Sequence, residues 1–318
     1  MSKPAPLDRG GVLAAIFAYA LWGVFPLYWA LLGHVPSLQI VAHRVVWCAL
    51  FVVSWLLLSS GTGWLRKALA EPKIARMLLL SSVLISINWG LYIWAVTHER
   101  VVEASLGYFI NPLVSISLGV LVLGERLNRW QWSAVALAAA GVIWLAWANG
   151  STPWIALTLA VSFGFYGLIR KLAAVDAVPG LAIESLFLAP IAALWLFWAA
   201  HQGSGVFAMG PVGQDILLIF GGALTALPLI GFAYGARRIP YSLVGVLQYI
   251  GPSIQLVCGV LLLGEPFSSE QMIGFGTIWV ALAIYATDGW QRSRLHHAGE
   301  ADIMECVVEG AETEQTSR

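Results

Sequence analysis

GVLVLGE at 119–125 and GVLLLGE at 259–265 stand 140 residues apart and differ only where Val122 faces Leu262. The same shift carries Pro112 onto Pro252 and Gln131 onto Gln271. Nearer the start of each copy the agreement weakens, with Trp22-Gly23 resembling Tyr166-Gly167 at a shift of 144. Self-similarity at a fixed long period marks a duplicated architecture. The chain therefore reads as two halves, 1–148 and 149–290, followed by a tail at 291–318.

Around these copies the sequence is apolar over long runs. A helix rises about 1.5 Å per residue, so roughly 20 apolar residues cross a hydrocarbon core of about 30 Å. Ten stretches qualify by hydropathy, near 11–32, 38–58, 76–97, 103–123, 130–148, 153–170, 178–199, 215–236, 241–263 and 270–287. With 59% hydrophobic residues, 11% charged residues and a mean hydropathy of +0.80, no water-soluble fold of 318 residues could hide this surface. The expected fold is all-α and integral to the membrane. Five spans per half is an odd number, so the second half enters the bilayer from the opposite side and the repeats are inverted.

Positive charge orients the bundle, because loops rich in Lys and Arg stay cytoplasmic. On one side fall Lys3, Arg9, Arg66, Lys67, Lys73, Arg76, Arg126, Arg129, Arg170, Lys171, Arg237, Arg238, Arg292, Arg294 and Arg318; the other side carries Arg100 alone. Both termini are thus expected in the cytoplasm. The tail, with Glu300, Asp302, Glu305, Glu309, Glu312 and Glu314, lacks a hydrophobic period and reads as disordered and acidic. Cys48 and Cys258 lie within spans and Cys306 in the tail, an arrangement of free thiols rather than a disulfide framework. The first span is too long for a signal-peptide core and is expected to stay in place.

Polar residues inside apolar spans need a reason. Arg44, beside His43, lies in the second span and Glu184 in the seventh, where a shift of 141 sets Glu184 on His43. Inversion places the two toward opposite faces, each about 9 Å deep and roughly 12 Å apart along the membrane normal. That separation argues against a direct salt bridge and for a place on each side's vestibule. Snorkelling of Arg44 to the headgroups is the alternative. Glu184 is the candidate for proton coupling, since burial disfavours the charged form of a carboxyl group; a structural Glu bonded to a hydroxyl or backbone group is its alternative. Pro112 and Pro252 interrupt helices near mid-membrane and leave the carbonyls of Tyr108 and Gln248 without donors. Such paired interruptions point to a hinge or a binding site. Asn111 and Gln248 cluster there, Asn88 and Tyr92 share one face of the third span, and Trp22 and Tyr166 sit mid-span in the first and sixth. Trp22, Arg44, Asn88, Tyr92, Tyr108, Asn111, Tyr166 and Gln248 are accordingly the residues expected to line a solute path. Gly23, Gly90, Gly119, Gly141 and Gly259 read as sites of close helix approach, and Glu125 and Glu265 as caps or loop tethers.

Taken together, HR (43–44), NWGLYIWAV (88–96), EASLGYFINPL (103–113), SFGFYGLIRK (162–171), ALTALPL (223–229) and QYIGPSIQ (248–255) resemble the drug/metabolite transporter superfamily. The similarity is to its EamA-type ten-helix proteins and most closely to the RarD group, over about residues 10–288. That resemblance implies a bacterial inner-membrane permease, an exporter of small metabolites or drugs; the RarD group is linked to chloramphenicol sensitivity. No nucleotide, zinc-protease or serine-hydrolase motif is present, so no enzymatic activity, cofactor or metal is expected, and no basic stripe suggests nucleic acid. The expected partners are the lipid bilayer, a small solute and, through Glu184, protons; the featureless spans five and ten leave a homodimer open. The leading reading is a secondary transporter working by alternating access. An intramembrane enzyme using His43 and Arg44 on a lipid-borne group, or a passive channel, are the alternatives.

Overall fold

The computed structural model describes residues 8–97, 101–149, 154–262 and 268–288. The acidic tail, Cys306, Glu265 and the loop at 98–100 fall outside them. The described residues form helices and turns with no strand. In order, these are α1 (Arg9–Ala30), α2 (Ser37–Ser60), α3 (Gly63–Ala70), α4 (Pro72–Thr97), α5 (Val101–Leu121) and α6 (Arg129–Asn149). The second half supplies α7 (Trp154–Leu172), α8 (Ala177–His201), α9 (Val212–Arg238), α10 (Tyr241–Gln248) and α11 (Ile250–Val257), which runs on as a π turn over Cys258–Leu262. The last helix, α12, occupies 269–288.

All ten expected spans are helical, α10 and α11 together making the ninth. Eight helices meet the length and hydropathy needed to cross a bilayer, and α5 contributes the shorter apolar stretch Leu106–Leu121. The short helix α3 is an addition that hydropathy does not reveal. Local chemistry sets the ends. Asp8 caps α1 by accepting from Gly11 N at 2.8 Å, Pro36, Pro211 and Pro240 immediately precede α2, α9 and α10, and Pro72 opens α4, where a missing N–H costs nothing.

The bundle is apolar outside, and its apolar interior encloses a set of buried polar side chains. Leu58, Leu121 and Phe197 are 89%, 82% and 75% exposed, while Gln39, Ser81, Ser115, Arg170, Glu184, Thr225 and Gln248 are buried. Lipid accepts the first group and cannot hydrogen-bond the second, so this distribution suits a bilayer and would fail in water. The packing repeats when the halves are exchanged: α5 lies on α7 as α11 lies on α1, and α1 lies on α9 as α7 lies on α4. The α2–α8 and α5–α10 contacts map onto themselves and mark the pseudo-twofold axis. The molecule is thus ten membrane helices in two inverted sets of five.

Close crossings rest on small residues. A Cβ on Gly222 of α9 would meet Trp47 and lie 2.6 Å from the Cys48 amide nitrogen in α2, and one on Gly23 would lie 2.6 Å from Ile254. Gly119 and Gly141 are similarly confined, but Gly90 departs from expectation, with no atom within 4 Å of its Cβ position. The paired proline breaks also differ. The chain leaves the helix at Tyr249, just after Gln248 loses its donor to Pro252, whereas α5 continues through Pro112. Glu125 acts as a cap, as its place at the end of a span suggests: its carboxylate accepts from Tyr241 N (2.5 Å) and Ser242 N (2.8 Å) and closes the first turn of α10. Overpacking a tight crossing costs about 1–3 kcal/mol. Gly222→Val should therefore lower the unfolding temperature in detergent, while Gly90→Ala should leave it unchanged or raise it; equal behaviour of the two variants would contradict this packing.

Candidate functional site

Two spaces of very different size lie along the centre of the bundle. The larger, about 400 Å³, extends from Tyr19, Gln248 and Gly251 in the middle to Leu32, Gly33, Val35 and Ser37 at the α1–α2 turn. The smaller, about 20 Å³, is bounded by Cys48, Tyr166, Leu181, Glu184 and Ser185. Ile85, Trp89, Thr225 and Leu229 line both and form the wall between them.

Arg44 is the charged side chain among the described residues lining the large cavity. Its guanidinium lies 4.7 Å from the centre of the Trp29 ring and 5.2 Å from that of Trp89, a placement the ring quadrupoles favour. Arg44 Nε donates to Thr225 Oγ1 at 2.9 Å, and that hydroxyl in turn donates to the Gly221 carbonyl at 2.7 Å. Among the described residues neither terminal nitrogen has a hydrogen-bond acceptor. The side chain projects into the cavity.

The opposing wall supplies acceptors. Asn88 donates through Nδ2 to the Leu159 carbonyl (2.8 Å) and Ser162 Oγ (3.0 Å). Gln248 Nε2 donates to Ser115 Oγ at 3.0 Å. Among the described residues, buried Asn111 Oδ1, Gln248 Oε1 and the Tyr19 hydroxyl have no hydrogen-bond partner, although all three residues line the cavity. A buried polar group without a partner is costly, so this is where a polar ligand or water gains most. Aromatic rings complete the walls: Trp22 meets Phe163 edge-on at 5.9 Å, and Tyr92 meets Tyr108 at 5.9 Å. Trp22, Arg44, Asn88, Tyr92, Tyr108, Asn111 and Gln248 thus share one cavity, with Pro252 on its wall and Pro112 buried behind it. His43 packs against Phe207 at 5.2 Å, away from that cavity.

Tyr166 and Glu184 are elsewhere. Tyr166 is 1% exposed, stacks on Phe232 at 6.0 Å and points its hydroxyl at Glu184 Oε2, 3.4 Å away. Glu184 also takes a 2.5 Å bond from Ser81 and lies 3.6 Å from Arg170 Nε, both side chains being buried. Its expected partner was a hydroxyl or backbone group; the guanidinium is the addition. Arg170 counts as a loop charge by hydropathy, yet it is 1% exposed. The last turn of α7 folds it inward over Gly180, where a Cβ would collide with it, and Nη2 reaches the Ala177 carbonyl at 3.1 Å. One turn from Tyr166 on the same helix, its spacing in SFGFYGLIRK is the signal that could have found it.

Beyond Arg170 the face bearing Lys171, Arg237 and Arg238 is sealed. Lys171 Nζ binds the Ala236 and Ile239 carbonyls at 2.8 and 2.6 Å. Arg237 bonds the Val175 carbonyl and pairs with Asp176 at 3.0 Å, and the Tyr241 hydroxyl donates to Gly164 at 2.7 Å. The cavity is open toward one face and blocked toward the other by side chains of both halves.

The profile of the EamA-like transporter family matches the chain twice, at 9–147 and 151–287. The chain is 45% identical to protein RarD of Escherichia coli over 284 residues, 89% of this chain and 96% of that protein. A Pseudomonas aeruginosa protein described as an uncharacterized transporter is 44% identical over 91% of this chain and 97% of its own length. The uncharacterized transporter YojE of Bacillus subtilis is 44% identical over 91% and 98%. A solved crystal structure has the same fold, with a TM-score of 0.66 at 20% identity over 86% of this chain and 96% of that one. Matched twice by one profile and aligned almost end to end with these relatives, the chain belongs to the EamA-like transporter family, in its RarD group, and is a membrane transporter of the drug/metabolite superfamily.

Proposed function

We propose that the protein moves a small organic solute across the bacterial inner membrane by alternating access between its two five-helix halves, in the direction of export. The observation that carries this is the pairing of one cavity of about 400 Å³ with a sealed opposite face, inside a bundle whose helix contacts are conserved when the halves are exchanged. Exchanging the conformations of two equivalent halves opens a central site to either side in turn. A channel needs a path open at both ends, and the Arg170–Glu184 barrier argues against one. With the Lys- and Arg-rich loops in the cytoplasm, the described state faces the periplasm, and units 1–148 and 149–290 rock against each other, with 291–318 as a cytoplasmic tail.

Cavity size falls within the roughly 300–1,000 Å³ of small-molecule pockets. Its walls suit a solute with an apolar or ring-bearing part among Trp22, Trp29 and Phe163, an acceptor group for Arg44, and a donor group for Asn111 and Gln248. A Pseudomonas aeruginosa relative, 36% identical over 90% of this chain, is described as chloramphenicol-sensitive protein RarD; a ring-bearing polar drug is therefore one solute to test. In liposomes carrying the purified chain, flux of such solutes should saturate, and absent or unsaturable flux across amino acids and small drugs would count against transport. Thr225→Val frees the Arg44 guanidinium from its hydroxyl, and a hydrogen bond to a charged group is worth about 1.5–3 kcal/mol. The half-saturation concentration should rise about tenfold or more with little change in protein yield.

Glu184 is the group through which proton coupling would run, being a carboxyl at membrane depth with Ser81, Tyr166 and Arg170 around it. Glu184→Gln should then abolish flux driven by a pH gradient while solute exchange persists. Unchanged pH dependence in that variant would remove Glu184 from this role.

A further inference from the structure

Helix register brings out a relation that sequence alignment blurs. Arg44 is the eighth residue of α2, which starts at Ser37, and Glu184 the eighth of α8, which starts at Ala177. The shift of 140 that overlays GVLVLGE on GVLLLGE therefore sets a guanidinium on a carboxylate. Each reaches a hydroxyl on the third membrane helix of the other half: Thr225 of α9 for Arg44, Ser81 of α4 for Glu184. One turn earlier, Val41 lines the open cavity and its counterpart Leu181 the small closed space. The two halves hold opposite charges at one symmetry-related place, and only the positive one faces an open cavity here.

Resting on the alternating-access reading above, we propose that the two access states have mouths of opposite charge, Arg44 in one and Glu184 in the other. Conformational exchange carries α8 into the setting α2 occupies now, with α7 and α8 separating within their own half as it moves; Leu181 and Glu184 then line the opening, and the Arg170–Glu184 contact parts. A charged group of the solute is consequently captured more tightly from one side than from the other: an anionic group from the Arg44 face, a cationic group from the Glu184 face. Lys171 and Arg237 at the rim of the Glu184 face are already held by α9 carbonyls and by Asp176, leaving Glu184 as the deeper determinant. Without a gradient the ratio Vmax/KM must be equal from both faces, so the bias appears as a lower KM on the preferred face with a proportionally lower Vmax. In the orientation given by the basic loops, a cationic solute is captured from the cytoplasm and released beside Arg44, an asymmetry in the export direction.

The test needs no knowledge of the solute. Val41→Cys and Leu181→Cys are placed singly in the full chain with Cys48, Cys258 and Cys306 replaced by alanine. Each is labelled in sealed vesicles of known orientation by two methanethiosulfonates, one ending in a sulfonate and one in a trimethylammonium, with rates normalised to a free thiol. Charged walls change local reagent concentration by about tenfold or more. Val41→Cys should react from the face opposite Lys171 with the anion favoured to that extent, and Arg44→Gln should erase the preference. Leu181→Cys should react from the Lys171 face with the cation favoured. Glu184→Gln combined with Arg170→Gln, which leaves no orphaned charge, should erase that preference. Labelling of both positions without charge preference, or preferences that survive these substitutions, would overturn the inference while leaving alternating access intact. A Leu181→Cys that never reacts from the Lys171 face would overturn alternating access itself.

Discussion

A chain inside lipid must satisfy its own backbone hydrogen bonds, and the described residues of this protein do so with helices, helped at their ends by side chains. From that constraint the rest descends. A repeat of five spanning helices cannot return to the side it started from, so its duplicate is inserted upside-down. Two upside-down copies pair about an axis in the membrane plane, and the α2–α8 and α5–α10 contacts lie on that axis. The centre of such a pair is the one region shielded from both lipid and loops, and there the polar residues collect.

The interior is held together unevenly. On the sealed face, Lys171 binds carbonyls at the end of α9 and Glu125 the first amides of α10, while Arg237 holds the Val175 carbonyl in the α7–α8 turn and the Tyr241 hydroxyl the Gly164 carbonyl within α7. Arg170 is the least satisfied member. It has an ion pair at 3.6 Å and one carbonyl, while among the described residues Nε and Nη1 lack hydrogen-bond partners. Deleting one partner of a buried ion pair costs about 3–5 kcal/mol because a charge is stranded, whereas the intact pair contributes little net stability. Such a contact specifies the closed arrangement strongly yet is inexpensive to part when both groups become hydrated together.

The open side is organised by aromatic rings rather than ion pairs. Trp29 and Trp89 hold the Arg44 guanidinium through their faces, leaving its terminal nitrogens directed at the cavity. Break and bend are distributed asymmetrically as well: the ninth span is interrupted at Tyr249, and its counterpart α5 is not. Two halves of similar sequence thus adopt different conformations at equivalent places.

Sequence alone determined the ten helices, the duplication, its inversion and the family, because apolar run length, a repeated GVLxLGE and the parity of five are one-dimensional facts. It also placed seven polar and aromatic residues that share a cavity, since a polar residue in an apolar span is conspicuous by its cost. It missed Arg170, hidden among topogenic charges at a helix end, along with Thr225, Ser81 and Tyr19, whose types are unremarkable within a helix. It grouped Tyr166 with the solute path, whereas the closed face buries that ring against Phe232. Only tertiary structure decided which face is open, that Glu184 meets a guanidinium, and that Arg44 lies between two tryptophans with its Nε on Thr225. Each of these depends on how helices pack side by side, and neither a neighbouring helix of the same half, as for Arg170 and Glu184, nor one more than a hundred positions away, as for Arg44 and Thr225, leaves a local pattern to read.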